Sequence, residues 1–392
     1  MRNVARKFTD RSLHSPRQVL ALGLLFTLIL VAVLPALGQT YTEKVLHSFT
    51  SQDGTDPLAG LVRDAAGNLY GTTFYEGPYG NGTVFRIEPS GTFAVLYAFA
   101  GGLDGGSPSC NLVQDANGNL YGTTSQGGAY QGGVAFKVAL NGTETVLHSF
   151  GNGNDGAYPS ANLVMDSAGN LYGTTPVGGS HGNGTVFKIS SAGNETVLYS
   201  FAGGTDGWQP LTGLILDQAG DLYGSTNAGG KYGWGTLFKL TATGNHTVVY
   251  SFPGGNDGSN PSGVVLDSAG NLYGTASGGK SDDGMVFKVS ATGNATILHS
   301  FRGGTDGAYP YSGVILDSAG NLYGTTYSGG GSNNGGTVFK VAVSGKESVL
   351  YAFPNSADGD APVAGVIRDS AGNLYGTTKY GGLGGIAFEV SP

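Results

Sequence analysis

DSAGNLYGTT, residues 166–175, is the stretch that decides the fold. An aspartate opens it, Gly169 and Asn170 supply a turn, and Leu171–Thr175 reads as a strand. The phrase returns as DAAGNLYGTT (64–73), DANGNLYGTT (115–124), DQAGDLYGST (217–226), DSAGNLYGTA (267–276) and DSAGNLYGTT (317–326 and 369–378). Its tyrosines are 70, 121, 172, 223, 273, 323 and 375, a period of 50 to 52 residues. Seven copies fill residues 39–392 and leave no room for a second domain. A repeat of this length is one supersecondary unit that cannot bury its apolar face alone and must stack on its neighbours.

Four short strands fit one unit. In the third copy they are Asn162–Asp166, Asn170–Thr175, Thr185–Ser190 and Glu195–Phe201, each bounded by Gly, Asn, Asp or Ser. Gly169 and Gly193 can supply the positive φ that the tight first–second and third–fourth turns require. Four antiparallel strands repeated seven times predict an all-β, seven-bladed β-propeller, because β-helix coils are shorter than fifty residues. The phase adds a topology. The chain opens with a lone fourth strand, Glu43–Phe49, and ends on a third strand, Gly385–Val390. Pairing the two closes the ring and removes exposed edges.

Composition agrees with this architecture. Gly accounts for 72 of 392 residues, which disfavours helices, while the hydrophobic share of 39% suffices for a core. Residues 1–38 carry Arg2, Arg6, Lys7, Arg11 and Arg17, then an apolar run from Val19 to Leu34, then Ala36 and Gly38 two apart. That is a signal-peptide pattern with cleavage before Gln39, and the run is short for a membrane span. The mature chain then has 14 Lys and Arg against 26 Asp and Glu. So acidic a chain is a poor partner for nucleic acid, which needs cations on its phosphates. Cys110 stands alone, so no intrachain disulfide forms. A secreted, periplasmic or cell-surface monomer without cofactor is expected.

The GNLYGTT phrase, together with a DG-x-x-P element opened by Asp53, Asp104, Asp155, Asp206, Asp257, Asp306 and Asp358, resembles the GloVer tandem-repeat family of exported bacterial proteins. The resemblance covers residues 40–392. It implies an exported, surface-associated propeller.

Residues shared by all blades read as structural. The Asp ahead of each first turn is expected to cap it through an Asx hydrogen bond, the Tyr of LYGTT to pack between blades, and the following Gly to admit the adjacent sheet. His47, His148 and His299 share one register with Tyr97, Tyr199, Tyr250 and Tyr351. Their blades are not adjacent, so the three rings cannot converge on one ion, and no metal is expected. Matches to G-x-S-x-G at 178–182 and to G-x-G-x-x-G at 151–156 lack the following helix that either chemistry needs.

The residues that differ between blades carry the functional signal. The fourth-to-first and second-to-third loops emerge on one face, and they are the long, variable ones. They hold Tyr75, Tyr79, Tyr130, Tyr158, Trp208, Tyr232, Trp234, Tyr309, Tyr327 and Tyr380. Trp208 and Trp234 are the only tryptophans and fall in the two same-face loops of blade 4, with Lys231 and Tyr232. These four form the candidate ligand site, suited to a glycan or envelope polymer by large, low-entropy aromatic contacts. A second asymmetry is a polar arc near the axis, Arg63, Gln114 and Arg368, where other blades have Met or Leu. No catalytic constellation is evident, so a binding or adhesion module is the leading class. A purely structural surface or matrix protein and a propeller lyase, hydrolase or lactonase are the alternatives.

Overall fold

The computed structural model describes residues 40–354 and 357–392. The signal-peptide reading of residues 1–38 lies outside them. Seven antiparallel sheets follow one another around a ring, six of four strands and one, blade 2, with a fifth short strand at Gly106–Pro108. Blade 3 is typical, with strands Val164–Met165, Leu171–Thr175, Thr185–Ile189 and Glu195–Ser200. Blade 7 begins at Ile367 and is completed by the N-terminal strand Thr42–Ser48, which pairs antiparallel with Ile386–Ser391. The protein is a seven-bladed β-propeller closed as its phase predicts. Among the described residues no helix is long and apolar enough to cross a membrane.

Outside blade 5, whose innermost strand is Ser259–Leu266, the innermost strands are shorter than the sequence suggests, with only Val164 and Met165 laddered in blade 3. The preceding residues bond across blades instead. Asn111 N donates to Asn162 Oδ1 at 2.7 Å, and Gly60 N donates to Asn111 Oδ1 at 2.6 Å. Backbone groups close to the axis are thereby satisfied by the neighbouring blade rather than by their own sheet.

Every letter of LYGTT has a physical task. The Leu is buried in all seven copies. The Tyr hydroxyl donates to the turn aspartate, at 3.0 Å for Tyr172 on Asp166. That Asp also accepts from Asn170 N (2.9 Å) and Asn170 Nδ2 (2.7 Å), the expected Asx cap enlarged to a three-residue cluster. Burial pushes the Asp166 carboxyl up, but these hydrogen bonds outweigh it and hold it below the usual range. The Gly serves a different end from the one expected. A Cβ on Gly173 would stand 2.5 Å from Cζ of Phe187, its cross-strand partner, so the glycine admits its own blade's ring and not the adjacent sheet. In blades 3, 5, 6 and 7 the first Thr hydroxyl reaches the next blade, as Thr174 does to Pro210 O (3.1 Å), and in blade 3 the second bonds the third strand, Thr175 to Thr185 (2.8 Å).

The seams between blades are aromatic. A fully buried Phe ends each fourth strand and meets the third-strand Phe of the next blade, as Phe150 meets Phe187 at 4.9 Å. The N-terminal strand makes the same contact through Phe49 and Phe85, also at 4.9 Å. Burial of each ring is worth about 2–3 kcal/mol, so ring closure draws on the same hydrophobic term as the other six seams.

Candidate functional site

The two long loops of a blade are paired with each other. Isolated bridges join Thr55 to Tyr75, Ala157 to Val177, Trp208 to Ala228, Ala308 to Ser328 and Asp360 to Tyr380, each linking a fourth-to-first loop to a second-to-third loop. All ten exposed large aromatics among the described residues lie in these loops, and none lies in the tight turns opposite.

The loops share one backbone device. The residue before the DG-x-x-P proline takes a left-handed conformation in every blade: Asp56, Ser107, Tyr158, Gln209, Asn260, Tyr309 and Ala361, with φ from 48° to 60°. Such a conformation is uncommon for a non-glycine residue and needs support from its surroundings. The support is a hydrogen bond to the preceding blade's loop, for example Tyr158 N to Gly132 O at 2.7 Å and Tyr309 N to Asp283 O at 2.7 Å. Seven equivalent backbone positions thus carry differing side chains, of which Ser107 and Ala361 are buried and the other five are partly or fully exposed. Nothing in the sequence pattern gave this away, since X-Pro usually signals extended backbone.

In blade 4, Trp208 N donates to Ala228 O at 2.9 Å, and Trp234 O accepts from Asn260 N at 2.9 Å. Each indole lies against glycine: a Cβ on Gly229 would be 2.9 Å from Trp208 Cδ1, and one on Gly254 would be 2.6 Å from Trp234 Cδ1. The rings are nevertheless 39% and 50% exposed. Lys231 Nζ stands 5.0 Å over the Tyr232 ring. Among the described residues no ring–ring contact joins Trp208, Tyr232 and Trp234, so they form a shallow surface with separate platforms rather than a stacked box.

A second aromatic group spans blades 6 and 7. Tyr309 and Tyr311 stack at 6.1 Å, Tyr311 meets Tyr327 at 5.3 Å, and Lys379 Nζ lies 5.0 Å over Tyr380. Burial and the neighbouring Tyr380 push the Tyr327 hydroxyl up. Tyr311 was missed by sequence reasoning because it follows the proline, at a register where the other blades carry Leu, Ser or Val.

The polar arc does not converge. Arg63 lies over the ring of Tyr375 in the preceding blade at 5.8 Å, and Arg368 over Tyr323 at 5.5 Å. Gln114 Nε2 donates to Gly118 O at 3.2 Å. In the other seams the same register packs Met165 or Leu216 against the tyrosine. The arginines therefore cover the preceding blade's tyrosine as the apolar residues do, with a cation–π contact in place of hydrophobic burial.

At the rim each blade places an imidazole or phenol beside the aspartate of its DG-x-x-P loop, as in Tyr97–Asp104 (3.0 Å) and His148–Asp155 (3.0 Å). The residue that opens the next blade's fourth strand, or in the N-terminal strand Thr42–Ser48 its second residue, joins them. Four of these are glutamates, 43, 144, 195 and 347, each with a buried Oε1 that has no hydrogen-bond partner. Burial first, and then the neighbouring aspartate, pushes each of these carboxyls up to about 7. At a fifth seam His246 takes the place of the glutamate and its Nδ1 meets Asp206 at 3.1 Å.

The central channel encloses about 310 Å³ and takes its lining from all seven blades. Among the described residues that lining is Gly, Ser, Thr, Asn, Ala, Tyr and aliphatic side chains, without Asp, Glu, His, Lys or Arg.

Solved propellers share this architecture at low identity. The extracellular domain of a B. thetaiotaomicron protein described as a hybrid two-component system is 12% identical with a TM-score of 0.58, covering 89% of this chain and 39% of that one. A Bacteroides uniformis protein described as a 6-phosphogluconolactonase is 16% identical with a TM-score of 0.52, covering 82% and 89%. A gluconolactonase from Xanthomonas campestris is 14% identical with a TM-score of 0.47, covering 90% and 89%. For the two Bacteroides structures the likeness is one of fold. No curated protein matches the chain significantly. The sequence model of the Gloeobacter/Verrucomicrobia repeat matches residues 29–219 and 202–388, and with seven repeats folded as seven equivalent blades the chain belongs to that repeat family.

Proposed function

We propose that the protein is an exported, monomeric binding propeller whose loop face engages a glycan or cell-envelope polymer, with Trp208, Lys231, Tyr232 and Trp234 as its principal contacts. The observation that carries this reading is the confinement of all ten exposed large aromatics among the described residues to one face. Exposed apolar surface concentrated on one side of a soluble protein marks an interaction site. Sugar rings offer apolar C–H faces and hydroxyl edges, and indole and phenol rings match both. Lys231 adds a cation for acidic sugars. The left-handed loop positions support the same reading, because a constant backbone displaying variable side chains is suited to recognition.

The channel lining gives the enzyme alternative no support, since general acid–base or metal-assisted hydrolysis needs ionisable or metal-ligating groups converging in the cavity. The test is a glycan and envelope-polymer binding screen with the propeller expressed from residue 39 and with its Trp208→Ala/Trp234→Ala form. Binding weakened at least about tenfold in the double variant, a loss of about 1.4 kcal/mol or more, is expected. Equal binding by both proteins sinks the blade-4 site, and catalytic turnover of a bound sugar or lactone sinks the binding-module reading.

A further inference from the structure

A cleft of about 550 Å³ opens at the rim where blade 5 meets blade 6. His299, on the fourth strand of blade 5, and Asp306, in the loop that follows, form one wall. Glu347, the first residue of blade 6's fourth strand, forms the other. One donor atom from each of the three lies within 4.8 Å of the others. His299 Nε2 is 3.1 Å from Asp306 Oδ1. Two ligands of a tetrahedral ion bound at about 2.0–2.2 Å are separated by roughly 3.3 Å, so this pair already has nearly the spacing an ion requires. Glu347 Oε1 is buried and accepts no hydrogen bond.

We propose that His299, Asp306 and Glu347 bind one divalent transition-metal ion, with Zn²⁺ the best match, and that the ion ties blade 5 to blade 6. One imidazole and two carboxylates are a borderline donor set that suits zinc. Calcium takes six to eight oxygens, and magnesium favours oxygen and retains its waters. Three protein ligands leave a fourth position open to the cleft. Arg302 N donates to Asp306 Oδ2 at 2.9 Å, which orients the carboxylate and leaves Oδ1 for the ion. The Arg302 and Lys346 side chains line the same cleft and oppose the ion electrostatically.

The other seams explain why the site belongs to this one. Sequence reasoning set metal aside because the three histidines cannot meet, but the groups that approach each imidazole are carboxylates. His47 has Phe93 where His299 has Glu347, and the two rings stack at 3.8 Å. Four seams carry Tyr in place of His. The seam of blades 2 and 3 has the same three residue types, His148, Asp155 and Glu195, yet among the described residues only the His299 group brings three donors together.

The experiment uses untagged full-length chain stripped with a chelator, titrated calorimetrically with ZnCl₂ and by visible absorption with CoCl₂. One ion per chain is expected, with Co²⁺ showing the absorption of a nitrogen- and oxygen-ligated site. His299→Tyr installs the residue that four blades carry at this register, and Glu347→Gln keeps size and shape. Each is expected to weaken Zn²⁺ at least about tenfold, while His148→Tyr leaves it unchanged and Arg302→Gln tightens it. Zn²⁺ binding unaltered in His299→Tyr and Glu347→Gln, binding lost in His148→Tyr instead, or no binding by the parent chain up to millimolar Zn²⁺ overturns the site. Circular dichroism establishes that each variant is folded, and should His299→Tyr fail to fold, Glu347→Gln decides.

Discussion

The two faces of the propeller are built from the same repeats and behave differently. On the tight-turn face the Asp–Asn–Tyr cluster is reproduced in six blades with the same partners and nearly the same distances, as at Asp115, Asp166 and Asp317. On the loop face every blade keeps the left-handed residue before its proline, but the loops differ in length and the side chains at that residue run from Ala361 to Tyr309. The turn face therefore fixes both path and chemistry, and the loop face fixes this one backbone position without its chemistry. A fixed side chain marks a contact the fold depends on, and a variable side chain on a fixed backbone marks a position open to recognition.

Substitutions sort by this difference, and the largest effect belongs to neither face but to the seams between them. Phe187→Ala removes a fully buried ring that fills the space left by Gly173 and meets Phe150. A loss of about 3–5 kcal/mol is expected in chemical denaturation, with ligand binding intact in the folded fraction. On the tight-turn face, Asp166→Ala deletes the acceptor of Asn170 N, Asn170 Nδ2 and Tyr172 Oη at once. Its cost is expected near 2 kcal/mol, because hydrogen bonds to a charged group are stronger than neutral ones. On the loop face, Trp208→Ala/Trp234→Ala is expected to change stability by about 0.5 kcal/mol or less, as surface substitutions do, while abolishing most of the binding. A double variant that unfolds the protein as Asp166→Ala does would erase the distinction between the faces.

The fold was legible because its determinants are local and repeated. The turn Asp and Gly, the strand LYGTT and the phase of the first and last strands each follow from chemistry within ten residues or from counting. What was not legible depends on groups that meet only across strands or across seams. Gly173 is kept free of a side chain by Phe187, fourteen residues away. Arg63 looked like part of a polar arc near the axis and lies on Tyr375, which follows it by more than three hundred residues in sequence yet is its neighbour around the closed ring. The blade-4 residues were found because Trp is rare in this chain, whereas Tyr311 was missed because tyrosine is common in it. Glu347 carried no signal by itself, since the position looks like an ordinary strand start until the adjacent blade's Asp306 is set beside it.

The smallest expected effect is also set at a seam, and it reads out as a dependence on pH. Glu144 begins the fourth strand of blade 2 and faces Asp104 and Tyr97 of blade 1. Burial and then Asp104 raise its carboxyl from the usual 4.5 to about 7, while Tyr97 is already committed to Asp104 at 3.0 Å. Between pH 4.5 and 7 the folded chain therefore keeps a proton at Glu144 that the unfolded chain has released. Stability from this group is complete below 4.5 and is lost as pH rises through 7. The turn aspartates work in the opposite sense at lower pH. Their depressed carboxyls contribute stability that disappears only as the solution is acidified below the usual carboxylate range. Glu144→Gln removes the seam titration and leaves the turns untouched. Its melting temperature relative to the parent chain is expected to rise by about 1–2 °C between pH 4.5 and 7.5, a small shift because the carboxyl is only half-buried and solvent screens it. An offset between the two proteins that is the same at both pH values would mean that Glu144 ionises normally in the seam. Water would then screen Glu144 from the charge of Asp104.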